Sequence, residues 1–88
     1  MDQQSILEKF EKYCQLVKIL PSRPDDEDLL ILYGLFKQST VGDCNIPKPS
    51  GLFNVKEKRK WEAWNNVIVL NREEAMIEYI HKVEELMN

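Results

Sequence analysis

Four stretches of this chain place apolar residues three and four positions apart, the spacing that lines up one face of an α-helix. Segments rich in proline, glycine or asparagine separate these stretches, and such residues interrupt regular helices. The chain has 88 residues, so it can close one modest hydrophobic core. The pattern therefore predicts an all-α fold, a four-helix domain that spans residues 1–88.

The first two predicted helices lie on either side of a break that begins at Pro21. Helix one carries an apolar stripe from Ile6 to Val17 and ends before that proline, which cannot continue a helix. The acidic run 25–28 suits the positive N-terminal end of helix two, which we place at the first or second residue of the run. Helix two continues to about Val41 with more apolar surface than one neighbour needs, so this wide face must cover something else.

A long loop joins the second and third predicted helices. Residues 42–55 contain two prolines and two glycines, which break regular structure, and loops of this length are often functional. Helical spacing resumes at about Lys56. We assign Trp61 and Trp64 of this third helix to the core rather than to a ligand site.

The last predicted helix begins after a capping signal. Asn71 can cap the helix, and Glu74 three residues later completes a pair that resembles a capping box. The apolar stripe of this helix consists of Met76, Tyr79, Ile80, Val83, Leu86 and Met87. The sequence shows no internal repeat, so the four periodic segments together predict one helical bundle.

The overall charge of the chain limits its partners. With a formal net charge of -3 and a pI of about 5.1, it lacks the broad basic surface that nucleic-acid binding needs. No apolar run reaches the roughly 18 residues of a membrane-spanning helix. Residues 1–4 lack the basic start of a secretory signal. We therefore expect a cytoplasmic protein, most simply a monomer, with no nucleic-acid partner and no stable membrane insertion.

The residue content argues against an enzyme. His81 is the only histidine, so acid–base or nucleophilic chemistry would require it to reach Cys14 or Cys44. The two cysteines fit neither a metal pair nor a disulfide-rich scaffold, so we expect reduced thiols, with a single bridge between them as the alternative. His81 and Glu85 are four residues apart, but two ligands alone do not make a metal site. We assign no catalytic residue, metal or cofactor.

One face of helix two combines three chemically different side chains. Tyr33, Phe36 and Lys37 are spaced i, i+3 and i+4, so they offer a hydroxyl, a ring and an ammonium group within reach of one another. Lys56 and Lys60 are one turn apart on helix three. Such groups suit an anion with an aromatic part, although the same aromatics could be core and the lysines a solvated face. A protein-interaction module, in which the wide face of helix two receives a partner helix, is the second interpretation.

Three segments of the chain together resemble the acyl-CoA-binding protein family. They are Leu-Tyr-Gly-Leu-Phe-Lys-Gln-Ser-Thr-Val-Gly-Asp at 32–43, Lys-Trp-Glu-Ala-Trp-Asn at 60–65, and the pattern from Glu74 to Leu86. The resemblance implies an antiparallel four-helix bundle that binds medium- to long-chain acyl-CoA non-covalently, without a cofactor. It also implies an intracellular carrier and pool former in lipid metabolism, which delivers acyl-CoA transiently to enzymes or membranes.

The resemblance also implies which residues contact the ligand. Tyr33 and Lys37 correspond to contacts of the ribose 3′-phosphate, and Phe36 stands where the family has a tyrosine that stacks on adenine. Lys60 corresponds to a lysine that pairs with the CoA phosphates. Further head-group contacts fall on Lys18, Lys56 and Tyr79, and positions near the acyl chain are Tyr13, Val17, Leu29 and Leu30.

Two departures from the family pattern affect this assignment. The loop from Pro49 to Lys56 is one residue longer than the usual pattern, so the register of Lys56 is provisional. Tyr13 replaces a residue that is usually small, which predicts a narrower space for the acyl chain. The preferred chain length therefore stays open.

Overall fold

The computed structural model describes residues 3–52 and 54–88, so Met1, Asp2 and Phe53 of the long loop lie outside the described residues. The four helices are α1 (Gln3–Leu16), α2 (Asp26–Thr40), α3 (Val55–Asn65) and α4 (Arg72–Met87). A short 3-10 helix, Val17–Ile19, continues from the end of α1. The described part of the chain contains no strand. The predicted all-α four-helix fold is therefore confirmed.

Side-chain caps mark the first turns of α2 and α4, at the positions that the sequence predicts. The Asp25 side chain accepts a hydrogen bond of 2.8 Å from the backbone N–H of Asp28, at the start of α2. At the start of α4, the Asn71 side chain accepts from the Glu74 N–H at 2.8 Å, and the Glu74 side chain accepts from the Asn71 N–H at 2.9 Å. This reciprocal pair is a capping box, which satisfies backbone donors that have no partner inside the helix.

The core lies where α1 and α2 pack against α4. Its buried members are Ile6, Phe10, Leu32, Leu35, Trp64, Ala75, Tyr79, Ile80 and Val83. Phe10 meets Tyr79 edge to face, with ring centroids 5.1 Å apart, a geometry that aromatic pairs prefer. The apolar stripes of α1, α2 and α4 therefore meet as their spacing predicts.

The two tryptophans of α3 anchor the long loop. The indole N–H of buried Trp64 donates to the Gly42 carbonyl at 2.8 Å, and that of half-buried Trp61 donates to the Ile46 carbonyl at 2.8 Å. Trp64 is a core residue as predicted, whereas Trp61 is only partly covered. Both side chains hold the loop against α3, and the Gly42 carbonyl supplies the acceptor that the indole N–H of buried Trp64 needs.

A glycine allows α2 and α3 to approach closely. A Cβ atom on Gly34 would lie 2.3 Å from the carbonyl oxygen of Ala63 and 3.2 Å from the backbone nitrogen of Trp64. No other residue type lacks this atom, so Gly34 sets how near the two helix backbones can lie. The contact lies in the middle of α2 and near the C-terminal end of α3, and it sets the spacing of the two helices whose N-terminal halves line the site described below.

A charged pair connects α4 to the start of α2. The Lys82 ammonium lies 2.7 Å from a carboxylate oxygen of Asp28 and 3.2 Å from one of Glu85. Only 13% of the Lys82 side chain and 26% of the Asp28 side chain are exposed, so water screens this pair less than a surface ion pair. The hydrogen bond with Asp28 raises the pKa of Lys82 above its ordinary value of 10.5.

Candidate functional site

A basic cavity opens between the N-terminal halves of α2 and α3. Its volume is about 520 Å³, and its lining consists of Arg23, Asp26, Leu29, Leu30, Tyr33, Lys56, Arg59 and Lys60. Four of these side chains are cationic and one is acidic, although the whole chain carries a net charge of -3. Four of the twelve lysine and arginine residues therefore line this cavity, which is locally positive and also contains two leucines and a tyrosine ring.

Lys60 and Tyr33 form the inner part of the basic cavity. The Lys60 ammonium lies 4.9 Å from the centroid of the Tyr33 ring, a distance typical of a cation–π contact. Its nearest carboxylate oxygen, on Glu57, is 4.0 Å away, so the ammonium is only weakly paired. Lys56 lies one turn before Lys60 on α3 and lines the same cavity. This arrangement can hold an anion against apolar surface, because two ammonium groups lie near each other with little neutralising charge.

Lys37 follows Tyr33 by one turn on α2. Its ammonium lies 5.2 Å from the centroid of the Trp64 ring, and within the described residues it has no carboxylate at ion-pair distance. Lys37 does not line the basic cavity itself. Because residues four apart on a helix are neighbours, its cation lies on the same side of α2 as the Tyr33 ring.

Phe36 lies in a second opening, the aromatic groove, which α1, α2 and α4 form together. The groove has a volume of about 520 Å³ and is lined by Leu7, Phe10, Glu11, Cys14, Gln15, Phe36, Ser39, Thr40, Arg72 and Met76. The Phe36 ring stacks near Phe10, with centroids 6.1 Å apart, yet 41% of the residue is exposed. An aromatic ring that is supported from behind and open in front is suited to stacking on a planar ligand.

Tyr79 supports this aromatic group from inside the protein. It is 4% exposed, its ring centroid lies 6.3 Å from that of Phe36, and its hydroxyl contacts the Cys14 thiol. Burial raises the pKa of Tyr79 well above its ordinary value of 10.0, and burial also raises the pKa of Cys14 above 9.0. Both groups are therefore held neutral, and neither Cys14 nor Cys44 forms a disulfide.

These shifted groups predict a loss of stability at alkaline pH. The folded protein holds the protons on Cys14, Tyr79 and Lys82 more tightly than the unfolded chain does, since all three pKa values are raised. Each group contributes fully to folding stability below its pKa in the unfolded chain, which is 9.0, 10.0 and 10.5 respectively. The contribution is lost as the pH rises through the pKa of the folded protein. We expect the melting temperature to fall steadily between about pH 9 and pH 11.

The alkaline prediction has a matched control in Tyr79→Phe, which removes one titrating group and keeps the ring. Thermal unfolding followed by circular dichroism should show a shallower fall with pH in this variant than in the natural protein. Equal slopes for both proteins above about pH 10 would assign the alkaline loss to general charge repulsion rather than to the buried phenol.

Three further predicted contacts lie away from both openings. The Tyr13 hydroxyl donates to a carboxylate oxygen of Glu84 on α4 at 2.8 Å, so its ring spans α1 and α4. Val17 packs against the core from the 3-10 helix, and the exposed Lys18 ammonium lies 3.4 Å from the Gln15 side-chain oxygen. The structure therefore does not bring these residues to the basic cavity.

Five predicted contacts do meet in the basic cavity, namely Leu29, Leu30, Tyr33, Lys56 and Lys60. Two cationic lining residues were missed by the sequence analysis, Arg23 and Arg59. Arg59 lies within the basic run that contains Lys56 and Lys60, and it follows Lys56 by three positions. That helical spacing was a usable signal, whereas nothing in the local pattern placed Arg23 beside α3.

The described residues show neither a membrane-spanning helix nor a metal centre. No helix within residues 3–52 and 54–88 is both long and apolar enough to cross a bilayer. The same residues contain no group of three or more histidine, cysteine or acidic side chains placed to bind a metal ion.

The fold and the two openings define a small helical protein suited to an anionic, partly apolar ligand that carries an aromatic group. This chain belongs to the acyl-CoA-binding protein family, because the family model "Acyl CoA binding protein" matches residues 7–83. The resemblance in its sequence motifs is thereby confirmed.

Known proteins similar to this chain carry the same family name. An acyl-CoA-binding protein of Gossypium hirsutum is 52% identical over 79 residues, which cover 90% of this chain and 88% of that protein. An acyl-CoA-binding protein of Brassica napus is 49% identical over 80 residues, covering 91% of this chain and 86% of that protein. The crystal structure of Oryza sativa acyl-CoA-binding protein 2 is 45% identical, with a TM-score of 0.86 over 93% of this chain and 90% of that chain.

Proposed function

We propose that this protein binds medium- to long-chain acyl-CoA thioesters non-covalently and carries them in the cytoplasm, without a cofactor and without a catalytic step of its own. The observation that carries the proposal is the basic cavity, where four cations surround two leucines and a tyrosine ring in a chain of net negative charge. An acyl-CoA has a matching structure, because it joins a phosphorylated nucleotide to an apolar tail. Family membership supports the same ligand.

The head group is proposed to lie along the exposed side of α2. Tyr33, Lys37 and Lys60 would hold the ribose 3′-phosphate and the neighbouring phosphates, because their hydroxyl and ammonium groups donate hydrogen bonds to anions. The exposed ring of Phe36 would stack on adenine, a contact worth roughly 1–3 kcal/mol for a base on an aromatic ring. Lys56 and Lys18 would make further polar contacts, and Tyr79 would act by supporting the Phe36 ring from behind.

The acyl tail is proposed to cover the apolar part of the basic cavity. Leu29 and Leu30 line that cavity, and Val17 and Tyr13, which lie outside it, would contact a part of the tail that extends beyond the cavity. Burial of a methylene group stabilises by about 0.8 kcal/mol, so ten methylenes supply roughly 8 kcal/mol before the cost of association. A net 8 kcal/mol would correspond to about micromolar affinity, so the cost of association leaves the tail alone with weaker binding than that.

Two-ended recognition explains how the protein would select a thioester. A free fatty acid lacks the phosphates and the adenine that Lys37, Lys60 and Phe36 would contact, and free CoA lacks the tail. Each fragment should therefore bind more weakly than the whole ligand. A carrier of this kind would keep a pool of acyl-CoA and release it transiently to enzymes or membranes.

Isothermal titration of the empty protein tests this function. The titrants are palmitoyl-CoA below its micelle concentration, palmitate and CoA. We expect one-to-one saturable binding of palmitoyl-CoA. Palmitate and CoA should each bind at least about a hundredfold more weakly, because palmitate lacks the head-group contacts and CoA lacks the tail contacts. If palmitoyl-CoA gave no saturable heat, or if palmitate bound equally well, the proposed function would fail.

A further inference from the structure

A third opening, the acidic groove, lies on the other side of α2 and α3 from most of the basic cavity. It has a volume of about 550 Å³ and is lined by Glu27, Leu30, Ile31, Leu35, Arg59, Glu62, Ala63, Asn66, Val67, Leu70 and Glu78. Only Leu30 and Arg59 line both the groove and the basic cavity. The groove is therefore next to the proposed acyl-CoA site but is built mainly from other residues.

The floor of the acidic groove uses the surplus apolar face of α2. Ile31 and Leu35 lie one turn apart on this face, Leu30 lies at its edge towards the basic cavity, and α3 contributes Ala63. Ile31 is 42% exposed, so the other helices cover the apolar face of α2 only in part. The wide face of α2 thus serves both openings, and on the side of the acidic groove its exposed apolar side chain is Ile31.

The rim of the groove is dominated by carboxylates. Glu27, Glu62 and Glu78 come from three different helices, and Arg59 is the only cation that lines the groove. Glu62 pairs with Lys48 at 3.3 Å, whereas Glu27 and Glu78 have no ion-pair partner within residues 3–52 and 54–88. Unpaired carboxylates around an apolar floor repel acidic ligands and anionic membranes but attract cations.

We propose that the acidic groove docks a basic amphipathic segment of a partner protein. An amphipathic helix would place leucine-like side chains on the floor formed by Ile31 and Leu35, and lysine or arginine side chains against Glu27 and Glu78. The charge of the rim selects this occupant over a second fatty tail or an anionic lipid surface. This docking does not depend on acyl-CoA binding, although the shared residues Leu30 and Arg59 would place the partner beside the cargo.

The size of the groove suits a short-lived complex. The groove has six apolar lining residues, so we expect a complex here to bury less surface than the roughly 1,200 Å² of a stable interface and to dissociate readily. Weak association fits a carrier, because a partner that receives cargo must release the empty protein. Exposed charges at the rim would mainly guide the encounter, which makes binding sensitive to salt.

The test uses a defined probe on the empty protein. The probe is an amidated leucine–lysine peptide of about 14 residues, or four helical turns, with leucines on one face. Titration of nitrogen-15-labelled protein should shift the amide signals of Ile31, Ala63 and Val67 progressively, with a dissociation constant of about 100 μM at low salt. A peptide with glutamate in place of lysine should not shift these signals.

Paired variants separate the groove from general negative charge. Glu27→Gln with Glu78→Gln should weaken peptide binding about fivefold to tenfold, because two exposed charge pairs are lost. Glu8→Gln with Glu73→Gln removes the same charge at two positions that do not line the groove and should change binding less than about twofold. Ile31→Ser tests the floor separately and should weaken binding about fivefold or more.

Three outcomes would overturn the proposal. The peptide would respond only to net charge if amide signals shifted over the whole surface of the protein. The same would follow if both double Glu→Gln variants lost peptide affinity equally. If the sedimentation coefficient rose with protein concentration, and Ile31→Ser removed this rise, the groove would bind a second copy of this chain instead. Because the empty protein is used throughout, none of these results depends on whether palmitoyl-CoA binds.

Discussion

Gly34→Ala is expected to destabilise the protein by about 3 kcal/mol, at the upper end of the usual cost of adding a methyl group to a close contact. The added Cβ would meet the Ala63 carbonyl oxygen at 2.3 Å, and this atom belongs to the backbone of α3 rather than to a side chain that could rotate away. The two helices must therefore separate. For a domain of this size the change corresponds to a fall in melting temperature of roughly 15 °C.

Thermal and urea unfolding of Gly34→Ala would measure this effect. Lys12→Ala, which introduces an alanine at an exposed position of α1, is the control and should change the free energy of unfolding by less than about 0.5 kcal/mol. A melting temperature for Gly34→Ala close to that of the natural protein would show that α2 and α3 do not lie as near each other as described. Separation of the helices should also weaken palmitoyl-CoA binding, since both helices line the basic cavity.

Lys60→Ala is expected to weaken palmitoyl-CoA binding about tenfold to a hundredfold. A hydrogen bond to a charged group contributes roughly 1.5–3 kcal/mol, and the Lys60 ammonium is positioned over the Tyr33 ring with only a distant carboxylate partner. The loss should appear in the affinity for palmitoyl-CoA and CoA but not for palmitate. Isothermal titration under the conditions used for the natural protein measures all three.

Lys58→Ala is the matched control for Lys60→Ala. It removes the same charge from the same helix two residues earlier, and Lys58 lines none of the three openings described. Its affinity for palmitoyl-CoA should stay within about twofold of the natural value at physiological salt, where distant charges are screened. If both variants lost affinity equally, binding would depend on the general positive charge of α3 and not on the position of Lys60.

The helices and their starting points were predictable because the signals for them are local. The Asn71–Glu74 capping box depends on two side chains three residues apart. The end of helix one before Pro21 depends on the ring of that single proline, which cannot continue a helix. Burial of Trp64 followed from apolar periodicity along α3. Such patterns act within one or two helical turns, so they can be recognised before the fold is known.

The site was predictable only in part. The spacing of Tyr33, Phe36 and Lys37 placed them on one side of α2, and the family resemblance added Lys60 from another helix. The structure brings Tyr33 and Lys60 together, but it places Phe36 in a separate groove. It also directs the Tyr13 hydroxyl to Glu84, because side-chain orientation depends on which partners other helices supply.

The four amphipathic helices, two of their caps, the loop between α2 and α3, and the family motifs can all be read from the amino-acid sequence. Which charges share a cavity depends on how the helices pack: Arg59 joins Lys60 beside Tyr33, while Glu27 and Glu78 line an apolar groove. The close contact at Gly34 accounts for this, because it sets the distance between two helices that a long loop separates. Local periodicity sets which face of each helix is apolar, whereas the packing of backbones sets which faces meet.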